Sequence, residues 1–325
     1  DYCMWTGYET GVEASANRYQ NPYLFTKEGS STYAGRFGPE VFREFIEAFI
    51  HANQDSSFFV YYPMVLPHTP LVNTPDETAD SDLGRHQAMV RFVDKNVGSI
   101  LNTLDEVGVR DNTLVVLSSD NGTTRGISGT RLGVEVTGAK GLTSETGVCV
   151  PFVVSWPAQI EGGLESTALV DFTDLFPTLL EVAGVQLDPH GDSMDGVSFF
   201  PVQQGKTTSA REWILSMGGG NNAQLTDQGV ENQYGYRDRV LRNHRFKLYV
   251  GTDGMPEKFI DLKADPQELT NLLDSLGTGQ RLERFNQLME VVAGLPKSDQ
   301  DPIYQPNPAQ PWDVPVTAKS QVWKK

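Results

Sequence analysis

Residues 113–119 constrain this chain most: Thr113, Leu114, Val115, Val116, Leu117, Ser118 and Ser119 run directly into Asp120, Asn121 and Gly122. A short apolar, β-branched run reads as a buried strand. A strand that ends in hard oxygen donors reads as the carboxyl-end rim of an open α/β sheet, where such folds place their sites. Asp120 offers a charged oxygen and Asn121 a neutral one, a pairing suited to Ca²⁺ or Mg²⁺. Gly122 lets the backbone turn sharply away. The same residues also suit an Asx-turn at a strand end, and taken alone they do not separate the two readings.

The flanking pattern alternates helix and strand, as in a layered α/β domain. The stretch before Gly38, rich in Gly, Tyr, Asn and Ser, reads as loop. Gly38, Pro39 and Glu40 then open a helix that carries Phe42, Phe45, Ile46, Phe49 and Ile50 on one face. Residues 58–66 read as a buried strand leading into Pro67, His68, Thr69 and Pro70, two prolines that present one imidazole stiffly. Residues 83–104 form an amphipathic helix with Met89, Val93, Val97, Ile100, Leu101 and Leu104 on one face, closed by Gly108. A Gly-rich loop follows over residues 122–141, then a strand over 148–156 and a helix over 174–184 with Pro177 in its first turn. Beyond Asp195 and Gly196 the texture changes to short strands (212–217, 239–242, 246–250) and a helix over 282–292, a small α+β unit. From Pro296 the chain is proline-rich (Pro302, Pro306, Pro308, Pro311, Pro315) and reads as an extended surface tail.

Composition narrows the function. A formal net charge of −16 over 325 residues lacks the basic footprint of a nucleic-acid binder. An acidic protein can still take an anion where a few cations converge. No apolar run is long enough to span a membrane as a helix. Cys3 and Cys149 supply neither a disulfide framework nor metal-ligand spacing, and Cys149, set among valines, reads as a small buried hydrophobe. His51, His86, His190 and His244 have no distinctive context. His68, the Asp120–Asn121 pair and Lys140 all fall at or just after strand ends, so one sheet rim could gather them into a pocket for a tetrahedral oxyanion. Lys140 would act there as a mobile cation and His68 as donor to an anion or a leaving alkoxide. A structural histidine and a solvated lysine remain the plain alternatives, and Glu145 reads as an acceptor for loop amides.

These residues sit in an ordered set of motifs: Leu66-Pro67-His68-Thr69-Pro70, Ser119-Asp120-Asn121-Gly122, Gly138-Ala139-Lys140 through Glu145, Gly147 and Pro151, Trp156-Pro157, Asp174 through Pro177, Asp195 through Pro201, Phe246-Lys247-Leu248-Tyr249, and Phe259 through Asn271. In order and spacing the set resembles the sulfatase family over roughly residues 1–275. The resemblance implies an alkaline-phosphatase-like α/β/α sandwich, N-terminally incomplete, with a smaller C-terminal α+β antiparallel-sheet domain. On that basis residues 1–205 would be the remainder of the catalytic domain, 206–295 the small-sheet subdomain and 296–325 the tail. It implies hydrolysis of aryl or carbohydrate sulfate esters with a formylglycine nucleophile and one Ca²⁺, Mg²⁺ being the second choice. By motif, Asp120 and Asn121 resemble metal ligands, and His68 and Lys140 resemble sulfate contacts that assist leaving-group departure. Arg125 and Arg131 are further candidate anion contacts.

The departures are as informative. The family's Cys/Ser-x-Pro-x-Arg segment, its two N-terminal acidic ligands and its Gly-Lys-x-x-His segment do not occur here, and neither Cys3 nor Cys149 has the required neighbours. Thr146 and Cys149 replace a common Gly and Arg. The resemblance therefore implies that this chain supplies the second half of an active site, its partner being the missing N-terminal half of its own domain, and that alone it is inactive. It also implies a periplasmic or secreted protein acting on a sulfated small molecule or glycan. A phosphatase or phosphonate hydrolase of the same superfamily is the alternative enzyme, although Asn121 stands where those enzymes commonly carry His. A non-catalytic binder of sulfated glycans is the alternative outside catalysis.

Overall fold

Pro39 and Glu40 open helix α1 (Gly38–Asn53), which buries Val41, Phe42, Ile46 and Ile50. Helix α2 (Asp82–Glu106) starts where the Ser81 side chain accepts from the Gly84 amide at 3.1 Å. Gly108, at φ 74°, turns the chain away after it. The structure is a computed structural model that describes residues 1–5, 12–131, 133–185, 194–218, 223–226, 229–232 and 238–296. Residues 1–113 form one unit and the described residues from 114 onward form a second. The proline-rich tail after Pro296 and His190 lie outside the described residues. Among the described residues no helix is long and apolar enough to cross a membrane.

In the first unit, Met89 and Phe92 of α2 pack with Tyr19, Phe37 and Leu66, the Phe37 and Phe92 rings meeting edge to face at 5.3 Å. Two expectations fail here. The opening stretch is not all loop: β1 (Cys3–Trp5), β2 (Tyr23–Thr26) and β3 (Gly29–Thr32) form an antiparallel sheet in that order. The signal lay in the alternation of β2, which buries Leu24 and Thr26, and in Gly29, whose φ of 110° serves the turn into β3. Conversely, residues 58–66 form no strand. Pro63 has no N–H to donate, and among the described residues no neighbouring strand bonds this backbone. Phe59 and Tyr61 are left 71% and 79% exposed, while Phe58 meets Phe49 and Leu66 reaches the core.

In the second unit, β4 (Val115–Ser118) pairs antiparallel with β7 (Phe152–Ser155), and its residues are half-buried rather than fully enclosed. The expected loop over 122–141 contains a hairpin, β5 (Ser128–Arg131) with β6 (Val134–Thr137), aided by Gly133 at φ 80°. A short helix, α3 (Glu145–Val148), leads back toward β7. After β7, Asp174 is fully buried and accepts from the amides of Asp171 and Val197 and from Arg211, anchoring helix α4 (Leu175–Val182) and the short α5 (Phe200–Gln203).

The C-terminal part carries the sheet that the sequence anticipated. Its strands run in the order β13 (Pro256–Asp261), β12 (Phe246–Val250), β11 (Arg239–Arg242), β8 (Ile214–Met217), all antiparallel. Strands β9 (Ala223–Thr226) and β10 (Gly229–Asn232) form a separate hairpin. Helix α6 (Gln280–Gly294) lays Leu288 and Val292 over Leu241, Leu248 and Phe259, closing a core.

One buried polar network ties this sheet to α3. Lys247, 1% exposed on β12, places its Nζ 3.0 Å from Glu145 Oε1 and 2.9 Å from Glu268 Oε1. Glu268 also accepts from the Glu145 amide at 2.7 Å and from the Tyr249 hydroxyl at 2.6 Å, and Arg242 stands 3.4 Å from Glu145. Glu145 does therefore join a loop amide network, but as its buried charge, with Glu268 as the amide's acceptor. Burial pushes the Glu268 carboxyl up, yet the bonds from Tyr249 and the Glu145 amide and the charge of Lys247 outweigh it, leaving it below the ordinary range. Burial also raises the Tyr249 phenol.

Removing Lys247 would strand two carboxylates in the interior, so Lys247→Met is expected to lower unfolding free energy by about 3–5 kcal/mol in urea melts. Because the folded Glu268 pKa is depressed, its contribution is complete above the unfolded value of about 4.3 and is lost as pH falls through the folded value. Unfolding curves across that acidic window should be flatter for Glu268→Gln than for wild type. The acid sensitivity left over would come from groups such as Asp261, which its hydrogen bonds to Arg245 hold below the ordinary range.

Candidate active site

Strand β4 delivers Ser118 to a turn built for close approach. Ser118 Oγ donates to the Pro151 carbonyl at 2.9 Å, and Ser119 Oγ donates to the Asn121 carbonyl at 2.8 Å, folding the turn back on itself. The Gly122 amide donates to the Gly147 carbonyl at 2.8 Å. A Cβ on Gly122 would fall 2.0 Å from the Thr146 carbonyl oxygen, and one on Gly147 would fall 2.1 Å from the Leu142 oxygen. Glycine is required at both crossings because backbone passes against backbone.

The Lys140 amide donates to the Thr123 carbonyl at 3.0 Å, so the lysine loop is stitched to the chain just beyond Asn121. The second unit thus brings the Asp120–Asn121 turn and the Lys140 loop together, and the Lys247 network fixes the far end of that loop at Glu145. Lys140 is half-buried and forms no ion pair among the described residues. Arg125 donates through Nε to the Lys140 carbonyl at 3.1 Å, which makes it a brace for the loop, and Arg131 lies 3.7 Å from the Cys149 sulfur. Cys149 is half-buried, less enclosed than its valine neighbours suggested. Burial pushes the Cys3 thiol up to about 11, so it stands protonated at neutral pH and is no nucleophile.

Asp120 is exposed, and its Oδ1 accepts from Asn121 Nδ2. No hydrogen bond among the described residues claims the Asn121 side-chain Oδ1 or Asp120 Oδ2. Two uncommitted hard oxygens fit part of the shell of a divalent cation that takes six to eight such ligands. Among the described residues no group of three or more His, Cys, Asp or Glu side chains could hold a metal. The pair fits a hard cation as a partial donor set.

His68 belongs to the first unit and is exposed at the end of the 58–66 segment. Its amide donates to the Val65 carbonyl at 3.1 Å, and Nδ1 lies 2.7 Å from the Thr69 carbonyl oxygen. Since a carbonyl can only accept, Nδ1 carries the proton and Nε2 is the free nitrogen. Tyr19, 1% exposed, directs its hydroxyl at the Val65 and His68 carbonyls and holds the loop from beneath.

Sequence reasoning missed two features. The role of Lys247 was signalled by a lone cation at an inward position of an otherwise apolar strand. Arg18, whose Nη1 lies 3.4 Å from His68 Nδ1, gave no local signal, because fifty residues separate the two.

Comparison with known proteins agrees with the motif order. The Sulfatase family model matches residues 1–185, and a model for the C-terminal region of N-sulphoglucosamine sulphohydrolase matches residues 139–293. An N-acetylgalactosamine-6-O-sulfatase of Bacteroides thetaiotaomicron is 28% identical over 240 residues, covering 70% of this chain and 45% of that protein. The steryl-sulfatase of Rattus norvegicus is 34% identical over 173 residues, covering 51% of this chain and 30% of its own length. The chain thus spans less than half the length of these curated relatives. Among solved structures, Ps i-CgsB superposes with a TM-score of 0.65 at 22% identity, over 83% of this chain and 58% of that one. BT4656 in complex with its substrate D-glucosamine-2-N,6-O-disulfate superposes with a TM-score of 0.51 at 25% identity, over 66% of this chain and 41% of that one. With a family model covering more than half of its residues and sulfatases as its structural neighbours, the chain belongs to the sulfatase family and has its alkaline-phosphatase-like α/β fold.

Proposed function

We propose that the protein hydrolyses sulfate esters of a glycan, with Asp120 and Asn121 as ligands of one Ca²⁺, Mg²⁺ being the second choice, and with Lys140 and His68 as contacts of the sulfate. The observation that carries the reading is the stitching of the Lys140 loop to the Asp120–Asn121 turn through backbone contacts that demand glycine. A lysine that pairs with no carboxylate among the described residues, on a loop stitched to a turn with two uncommitted oxygens, suits an oxyanion held against a cation. A bound Ca²⁺ would supply charge stabilisation to sulfate oxygens, and a formylglycine, as in the family, would supply the covalent nucleophile. The segment that carries formylglycine in the family does not occur in these 325 residues.

Lys140 neutralises negative charge on the sulfate and strengthens that interaction as charge builds toward the transition state. His68, with its Nδ1 proton committed to Thr69, presents Nε2, which in the imidazolium form would carry the proton that passes to the departing alcohol oxygen. The glycan assignment is supported by the N-acetylgalactosamine-6-O-sulfatase relative and by the neighbour solved with a disulfated glucosamine. Asn121 in place of the histidine common in two-metal phosphatases favours sulfate over phosphate esters.

The test is sulfate release by the full-length protein from an aryl sulfate and from glucosamine-6-sulfate, set beside the matching phosphate esters. Sulfate esters should be hydrolysed, chelation with EDTA should abolish turnover, and Ca²⁺ should restore it. Asp120→Ala is expected to raise the Ca²⁺ concentration needed for half-maximal activity and to lower kcat. Lys140→Met should lower kcat/KM by roughly 10²–10³-fold, in line with the loss of one preorganised charge donor. Turnover indifferent to EDTA, or confined to phosphate esters, would refute the reading.

A further inference from the structure

Arg18 stands over an indole and beside an imidazole. Its guanidinium carbon lies 4.2 Å above the Trp5 ring, and Nη1 lies 3.4 Å from His68 Nδ1. In the same unit Arg36, Arg43, Arg85 and Arg91 all bind carboxylates at 2.5–2.6 Å. Arg18 binds none among the described residues, in a chain whose net charge is −16. Nor does His68 satisfy it. With the Nδ1 proton given to Thr69, that nitrogen has no lone pair for an arginine N–H. Two donors therefore face one another with no acceptor between them.

The placement is built rather than incidental. Asn17 Oδ1 accepts from the Tyr19 and Gln20 amides at 2.9 and 3.0 Å, fixing the turn that carries Arg18. The Gly38 amide donates to the Tyr19 carbonyl at 2.6 Å, and a Cβ on Gly38 would fall 2.1 Å from the Arg18 oxygen. The buried Tyr19 hydroxyl reaches the His68 carbonyl, so the arginine and the histidine are held by the same anchor. Trp5 supports the flat face of the guanidinium and leaves its edge donors free, the arrangement that suits bidentate capture of an oxyanion.

We propose that Arg18 is a specificity residue that binds a second anionic group, a sulfate or a carboxylate, on the substrate whose scissile sulfate meets His68. This rests on the sulfatase reading above and extends it to a polyanionic glycan.

The experiment compares the full-length protein with Arg18→Gln and Arg18→Lys. The substrates are glucosamine-6-sulfate, glucosamine-2-N,6-O-disulfate and a uronate-containing 6-sulfated disaccharide. For whichever substrate carries the recognised anion, Arg18→Gln should raise KM by roughly 10–100-fold, the scale of one lost charge-assisted contact, with little change in kcat. The monosulfated sugar should shift less than about 3-fold, and Arg18→Lys should recover part of the loss. Sensitivity confined to the disulfate identifies a sulfate, and sensitivity confined to the uronate identifies a carboxylate. Equal losses on all three substrates would mean that Arg18 merely supports His68, and no loss on any would mean it is a solvated surface group. Either result overturns the proposal. Calorimetric titration with the same three sugars separates this inference from the reading it rests on. Arg18-dependent binding without turnover would refute the sulfatase reading alone, and binding indifferent to Arg18→Gln would refute the anion site.

Discussion

Lys247 is the interaction on which the second unit depends. A single ammonium holds two carboxylates that lie far apart in sequence, Glu145 at the start of α3 and Glu268 beyond β13. An ammonium this deeply buried is tolerable because two carboxylates face it, and Glu268 is held in turn by Tyr249 on the oxygen it shares with Lys247 and by the Glu145 amide on the other. The arrangement is costly to break rather than strongly favourable to form. Its value lies in specificity of position: α3 can dock on the C-terminal sheet in the one register that brings Glu145 to Lys247.

That register propagates back to the chemistry. Gly147, within α3, receives the Gly122 amide, and Lys140 lies a few residues before Glu145. Gly122 and Gly147 cross at distances that admit no side chain, so the turn bearing Asp120 and Asn121 cannot move without moving the lysine loop. The C-terminal sheet, which carries none of the proposed reacting groups, therefore sets the spacing between the Asp120–Asn121 turn and the Lys140 loop. Such support is what a site based on preorganised charge requires, since a misplacement of an ångström removes much of the benefit.

How legible this was depended on the range of the interaction. The helices were plain in sequence, because Phe42, Ile46 and Ile50, like Met89 and Phe92, recur at helical spacing, and Pro39 and the Ser81 cap mark their starts. The candidate residues His68, Asp120, Asn121 and Lys140 stand in motifs that the sequence shows, and the turn chemistry around Gly122 could be anticipated. Residues 58–66 were misread because strand character is completed by neighbours: an apolar run reads the same whether or not a ladder forms beside it. The β1–β3 sheet was missed for the opposite reason, polar and glycine-rich strands whose only pattern is the alternation in β2. Lys247, Glu268 and Arg18 escaped because their partners are distant in sequence, and no local spacing encodes a contact of that range.

Electrostatics reconciles an acidic chain with the anionic substrate proposed for it. Most of the described arginines are neutralised by carboxylates or engaged by carbonyls, as Arg36, Arg43, Arg91 and Arg245 show, and exposed pairs of this kind contribute little to stability. They do quench positive potential over the general surface. At physiological salt, screening confines charge effects to about 8 Å, so an anion responds to its immediate neighbours and not to the total of −16. Among the described residues Lys140 and Arg18 pair with no carboxylate, and each is held by backbone contacts that glycine alone permits. The surrounding negative charge then works as a filter. It disfavours loose association of polyanions except where a rigid cation offers geometry as well as charge, and selectivity for the proposed sulfated substrate would follow from that contrast.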